Sequence, residues 1–177
     1  SDNISRVRGL LDRGINPNIR DSDGDTALMI ASSRGHIKIV RLLLDRGADI
    51  NSQNELGQTA LIWASYFGRI EIVRLLLDRG ANPNIQNIDP NLQNDDGKTA
   101  LIYASIWGFT EIVELLLDRG ADINIRTSRG NTALKSASRN GHTEIVKLLL
   151  DRGANPNSKD ISNLSLIHIS EPTRPMN

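Results

Sequence analysis

Catalysis needs a nucleophile, a base or a metal ion held in convergent geometry, and this 177-residue sequence offers little towards one. It has no cysteine, which removes thiolate metal sites, cysteine nucleophiles and disulfides and fits a reducing compartment. Two of its three histidines, His36 and His142, are far apart, and each directly follows a glycine, as the opening residue of a helix does after a turn. That placement favours a structural role over a shared metal. Asp21-Ser22-Asp23-Gly24-Asp25 begins like a calcium loop but lacks the later ligands and the closing glutamate, and turn chemistry accounts for it. There is no Gly-x-Ser-x-Gly, no His-Glu-x-x-His, no P-loop and no dinucleotide fingerprint. No catalytic residue, metal or cofactor is therefore assigned.

The chemistry that remains is recognition. The six aromatic residues are Trp63, Tyr66, Phe67, Tyr103, Trp107 and Phe109, all within one stretch of the chain. Trp and Tyr dominate interface energetics because they offer a large apolar area with a polar handle. Formal net charge is zero, and the arginines sit beside acids, as in Asp45-Arg46 and Asp78-Arg79. No basic stripe with interleaved aromatics appears, so nucleic acid is not an expected partner. No apolar run reaches the roughly 18 residues of a membrane span.

The elements that must position these residues follow from a repeat. "LLDRG" ends at Gly14, Gly47, Gly80, Gly120 and Gly153, in steps of 33, 33, 40 and 33. "TAL" begins at Thr26, Thr59, Thr99 and Thr132, in steps of 33, 40 and 33. Each unit has a glycine turn, a threonine suited to cap a helix, a short helix, a second glycine, and a longer helix. In the first unit Ile37, Val40, Leu43 and Leu44 recur at helical spacing and predict a buried stripe. A third glycine then suits a left-handed cap, and an Asn/Asp/Pro-rich loop follows. The one long step contains a duplication: Ala81–Asn87 and Ile88–Asn94 align with Pro, Asn, Gln and Asn identical.

This pattern resembles the ankyrin repeat. The second unit reads "NELGQTALIWASYFGRIEIVRLLLDRGANPN", against the family pattern D-x-x-G-x-T-P-L-H-x-A-A-x-x-G-H-x-E-I-V-x-x-L-L-x-x-G-A-x-x-N. The resemblance implies an all-α helical solenoid with hairpin-like loops between helix pairs, each repeat contacting its neighbours. It places a partial repeat over 1–21, full repeats at 22–54, 55–87, 95–127 and 128–160, and an insertion at 88–94. Residues 161–163 begin a truncated repeat. Residues 164–177, "LSLIHISEPTRPMN", look like the translation of a sequencing adapter, and His168 within them is assigned no role. The chain opens on Ser1 rather than Met and is expected to be a fragment of a longer protein. Ala27, Ala60, Ala100 and Ala133 replace the motif proline. Met29, Ile62, Ile102 and Lys135 replace the motif histidine, so the loops are expected to rely on apolar packing.

Ankyrin arrays mostly bind proteins through loop tips and concave face, and the aromatics fall in repeats 2 and 3. Repeat 1 carries Ile30, Ser33 and Arg34 at the positions of Trp63, Tyr66 and Phe67, and repeat 4 carries Ser136, Arg139 and Asn140. A core requirement would recur in all four. The expected site is Trp63, Tyr66, Phe67, Tyr103 and Trp107, rimmed by Glu55, Leu56, Gln58, Asp95, Asp96 and Lys98. Tyr66 and Trp107 are expected to be exposed, while Trp63 and Tyr103 could equally pack between repeats. The expected function is a non-catalytic protein-interaction module. The alternatives are the targeting part of an enzyme or ubiquitin-ligase adaptor whose other domain lies elsewhere, and a structural spacer. A protein partner, no nucleic acid and no membrane are expected, with a monomer that could associate end to end through uncapped repeat faces. The expected compartment is intracellular: the cytoplasm, or the host cytoplasm for a viral or secreted effector.

Overall fold

The structure, a computed structural model, describes residues 2–87 and 97–156. These residues form α1 (Asp2–Asp12), α2 (Ala27–Arg34), α3 (Ile37–Asp45), α4 (Ala60–Tyr66), α5 (Ile70–Asp78), α6 (Ala100–Trp107), α7 (Thr110–Asp118), α8 (Ala133–Arg139) and α9 (Thr143–Asp151). No strand occurs among them beyond an isolated bridge between Arg20 and Thr26. The short helices start where the threonines predict. The hydroxyls of Thr26, Thr59, Thr99 and Thr132 accept from the backbone N–H of Met29, Ile62, Ile102 and Lys135 at 3.2–3.4 Å. Each bond satisfies one amide that a helix N-terminus leaves open.

The helices form two layers. α2, α4, α6 and α8 stack in one; α1, α3, α5, α7 and α9 stack in the other, and each short helix pairs with the longer helix after it. The short-helix layer is the more closely packed, because its contact positions are small: Ala60, Ala64, Ala100, Ala104, Ala133 and Ala137 are almost completely buried. Leucines and valines fill the space between layers. Val40, Val73 and Val113 are fully buried, as are Leu76, Leu116 and Leu149. Truncating one such leucine to alanine costs about 2–5 kcal/mol, from lost transfer energy and the cavity left behind. Val40 and Leu43 are buried as the stripe in the first unit predicts, while Ile37 and Leu44 are half-buried at its margins. In the short helices Ser32, Ser65, Ser105 and Ser138 are buried with no hydrogen-bond partner for their hydroxyls.

Two ladders run along the stack, and the second revises the sequence reading. The arginines do not serve the acids beside them. Arg46 pairs with Asp12 (2.6 Å), Arg79 with Asp45 (2.9 Å), Arg119 with Asp78, and Arg152 with Asp118 (2.8 Å). Each arginine thus reaches back one repeat. The loops, expected to rely on apolar packing, are tied by polar groups instead. The Arg20 guanidinium donates to the Gly24 carbonyl (3.3 Å) and across to the Gln53 carbonyl. The Gln53 amide donates to the carbonyls of Gly57 (2.9 Å) and Gln86 (3.5 Å). The Gln86 amide donates to the carbonyls of Gly97 (2.6 Å) and Arg126 (3.1 Å). Beside this row, Asn18, Asn51 and Asn84 accept from the backbone N–H of Asp49, Asn82 and Asp122 at 2.7–2.8 Å. The side chains that replace the motif histidine are nonetheless apolar where buried: Ile62 and Ile102 lie in the core, and the Met29 sulfur lies 3.5 Å from the Thr26 N–H.

Candidate interaction surface

The five aromatic residues of the expected site come together. Trp63 and Tyr103 occupy the same place in successive repeats, as do Phe67 and Trp107. α4 and α6 lie side by side, so the two sets of rings meet, and Tyr66 lies among them. Its ring is 6.2 Å from Trp63, 4.9 Å from Phe67, 5.3 Å from Tyr103 and 5.5 Å from Trp107, always edge to face. Trp63 and Phe67 stack at 5.7 Å. Edge-to-face pairs place the positive rim of one ring on the negative face of another, and each is worth about 0.5–1.5 kcal/mol beyond area burial.

Exposure divides the cluster. Trp107 is 50% exposed and Phe67 43%. Trp63 and Tyr103 are half-buried and lean on the core. Tyr66 is half-buried too, contrary to the exposure expected of it, because four neighbouring rings enclose it. Phe109 is separate: it opens α7 and fills the space beside Gly68. A Cβ on that glycine would lie 2.8 Å from the Phe109 ring, and the glycine holds φ at 67°. Phe109 therefore packs one repeat on the next.

The rim residues behave differently from one another. Lys98 lies over the Tyr103 ring, with Nζ 6.0 Å from the centroid, a distance at which a cation is attracted to the ring face. Leu56 and Glu55 are exposed. The Gln58 side chain is turned inward, its carbonyl oxygen accepting from the Asn54 amide at 3.1 Å, so it braces its own loop. Asp95 and Asp96 lie outside the described residues. So does the insertion at 88–94, although its base is visible. The Asn87 N–H donates to the Lys98 carbonyl (3.1 Å) as the Asn54 N–H donates to the Gln58 carbonyl (3.0 Å).

Asn87 is a residue that sequence reasoning missed. Its carbonyl oxygen accepts from the Lys98 N–H (2.7 Å), and its amide lies 3.3 Å from the Tyr103 hydroxyl. It thus ties the loop base to the aromatic cluster. A signal was present: Asp21 and Asn54 stand at the same place and close their turns in the same way. Of the two in-repeat histidines, His142 contacts the preceding repeat and His36 is exposed. His142 Nε2 lies 2.9 Å from the Ile106 carbonyl oxygen, a contact that requires the proton on Nε2. The Asp21 carboxylate accepts from the N–H groups of Asp23 (3.0 Å) and Asp25 (2.9 Å), which is turn chemistry. No helix among the described residues is long and apolar enough to cross a membrane.

Paired helices in two layers, stepped by 33 residues, correspond to a known family model. The model for ankyrin repeats matches residues 1–87 and 85–160. The chain belongs to the ankyrin-repeat family. Ankyrin repeats are generally protein-interaction modules and typically non-catalytic. No curated protein matches the chain. Within the ankyrin frame, α2, α4, α6 and α8 are the first helices of their repeats, and the cluster around Tyr66 bridges the first helices of repeats 2 and 3.

Proposed function

We propose that this ankyrin array is a non-catalytic binding module that holds a protein partner on the first-helix face of repeats 2 and 3. The first-helix layer is the more closely packed of the two, which supports reading its face as the concave side of the array. One observation carries the reading: five rings cluster across α4 and α6 with Trp107 and Phe67 half in solvent. Half-exposed Trp on a rigid support is the usual anchor of an interface, because it buries much area at little conformational cost.

In this reading Trp107 and Phe67 are the anchors. Tyr66, Trp63 and Tyr103 form the platform that holds them. Lys98, Glu55 and Leu56 form the rim, joined there by Asp95 and Asp96, and Gln58 acts by bracing the loop that carries Glu55 and Leu56. The test compares proteins captured by the wild-type chain and by the Trp107→Ala and Phe67→Ala variants. Partners lost with both variants, at unchanged melting temperature, support the reading. Identical capture by all three chains contradicts it.

A further inference from the structure

The four first helices carry no aspartate or glutamate: they read ALMIASSR (α2), ALIWASY (α4), ALIYASIW (α6) and ALKSASR (α8). Their charges are Arg34, Lys135 and Arg139, all basic. The second helices differ, because α3, α5, α7 and α9 each end on an aspartate: Asp45, Asp78, Asp118 and Asp151. A chain with no net charge thus keeps the acids of its helices on one layer, and the first-helix face is positive.

The cations are placed around the rings. Arg34 stands where Phe67 and Trp107 stand in repeats 2 and 3, and those two face solvent with repeats on either side of them. Arg139 stands one repeat beyond the cluster, at the place of Tyr66 and Ile106. The cluster therefore has an arginine one step before it and another one step after it. Arg69, exposed, follows Phe67 in the turn after α4. The loop-tip edge of the face is different, with both signs exposed: Asp23 and Glu55 against Arg129.

These arginines are not spent on carboxylates. Arg46, Arg79, Arg119 and Arg152, which cap the second helices, and Arg74 in α5 each pair with an acid. Among the described residues Arg34, Arg69 and Arg139 have no such pair. Arg69 and Arg139 donate to neutral oxygens, the Ser33 carbonyl (3.0 Å) and the Asn131 side chain (3.4 Å). A cation in the last turn favours the negative end of a helix, but that does not account for the pattern. The second helices end on aspartate, and α4 and α6 end on Tyr66 and Trp107.

We infer that the partner presents an extended acidic segment in which apolar residues are flanked by carboxylates. This rests on the reading of the aromatic face as the binding surface. Neighbouring helices lie about 8–10 Å apart, so Arg34 to Arg139 is three steps, about 25–30 Å. An extended chain rising about 3.1 Å per residue returns a side chain to one face every third residue, about every 9 Å. The match sets a carboxylate over Arg34, apolar side chains over Phe67 and Trp107, and a second carboxylate over Arg139, in a segment of about ten residues. Such flanking charges choose the partner more than they tighten it. A single strand of nucleic acid is also acidic, but it stacks its bases on open ring faces, and these rings pack edge to face against one another.

The test is fluorescence anisotropy with the full chain and two labelled peptides: Asp-Ser-Gln-Leu-Ser-Gln-Leu-Ser-Gln-Asp, and the same peptide with Lys at both ends. The acidic peptide should bind about tenfold tighter, and the difference should shrink as salt is raised. Arg34→Glu with Arg139→Glu should reverse the preference, Arg34→Gln with Arg139→Gln should remove it, and Trp107→Ala should weaken both peptides. Equal binding of the two peptides, lost with Trp107→Ala, overturns the acidic partner and leaves the aromatic surface standing. A preference for the acidic peptide that ignores Trp107→Ala overturns both. No binding of either peptide up to its solubility limit, or tighter binding of an oligothymidylate of the same length, overturns this inference alone.

Discussion

Arg119 pairs with Asp78 across 41 positions of sequence, whereas Arg46, Arg79 and Arg152 reach their aspartates across 34. The rung is the same and the chain between is seven residues longer. The extra residues fall between Asn87 and Lys98, which are bridged backbone to backbone, and the rung from Arg119 to Asp78 is kept. Deleting residues 88–94 should preserve the fold and raise stability by at most about 1 kcal/mol, since closing a shorter loop costs less entropy. Denaturant unfolding checks this; a loss of more than that would mean the insertion packs on the array.

The four buried serine hydroxyls make a second prediction. Ser32, Ser65, Ser105 and Ser138 have left water without gaining a partner, which is unfavourable. Alanine fits the same space and is the better helix former. Ser65→Ala and Ser105→Ala should each stabilise the chain by about 1 kcal/mol, measured by the denaturation midpoint. Destabilisation would indicate hydrogen bonds to these hydroxyls.

Asn87 holds the Lys98 amide and approaches the Tyr103 hydroxyl. Asn87→Ala should cost about 1–2 kcal/mol, the net value of one or two hydrogen bonds. The effect should be local: hydrogen exchange at the Lys98 amide should accelerate while amides in α4 and α6 keep their protection. Uniform acceleration would show that Asn87 supports the whole array.

Tyr66 and Trp107 should separate stability from binding. Tyr66 touches four rings, so Tyr66→Ala should lower stability by about 2–3 kcal/mol. Trp107 makes one of these edge-to-face contacts and is half in water, so Trp107→Ala should cost less than about 1 kcal/mol. Thermal melts of the two variants decide this; equal losses would contradict the division into platform and anchor.

Most of the fold was legible because glycine, threonine and leucine act locally. A glycine that takes positive φ, a threonine that caps and a leucine stripe at helical spacing need no knowledge of distant residues. The meeting of the five rings was legible for a related reason, since positions 33 or 40 apart must face the same way in a repeat. What was hidden depends on contacts between repeats. Arg46 stands beside Asp45 along the chain, and nothing local says that its partner is Asp12. Gln53 and Gln86 look like loop filler, yet they tie adjacent loops. Tyr66 looked exposed because its position is polar in repeats 1 and 4, as Ser33 and Arg139, and only the rings around it bury it.

The central claim is that the cluster around Tyr66 binds a protein through Trp107. The direct measurement is the dissociation constant of the Trp107→Ala chain for a partner recovered with the wild-type chain, beside the melting temperatures of both. Binding should weaken at least about 30-fold, as for an interface hot spot, with the melting temperature lowered by no more than a few degrees. Unchanged affinity, or affinity lost only in step with unfolding, would contradict it.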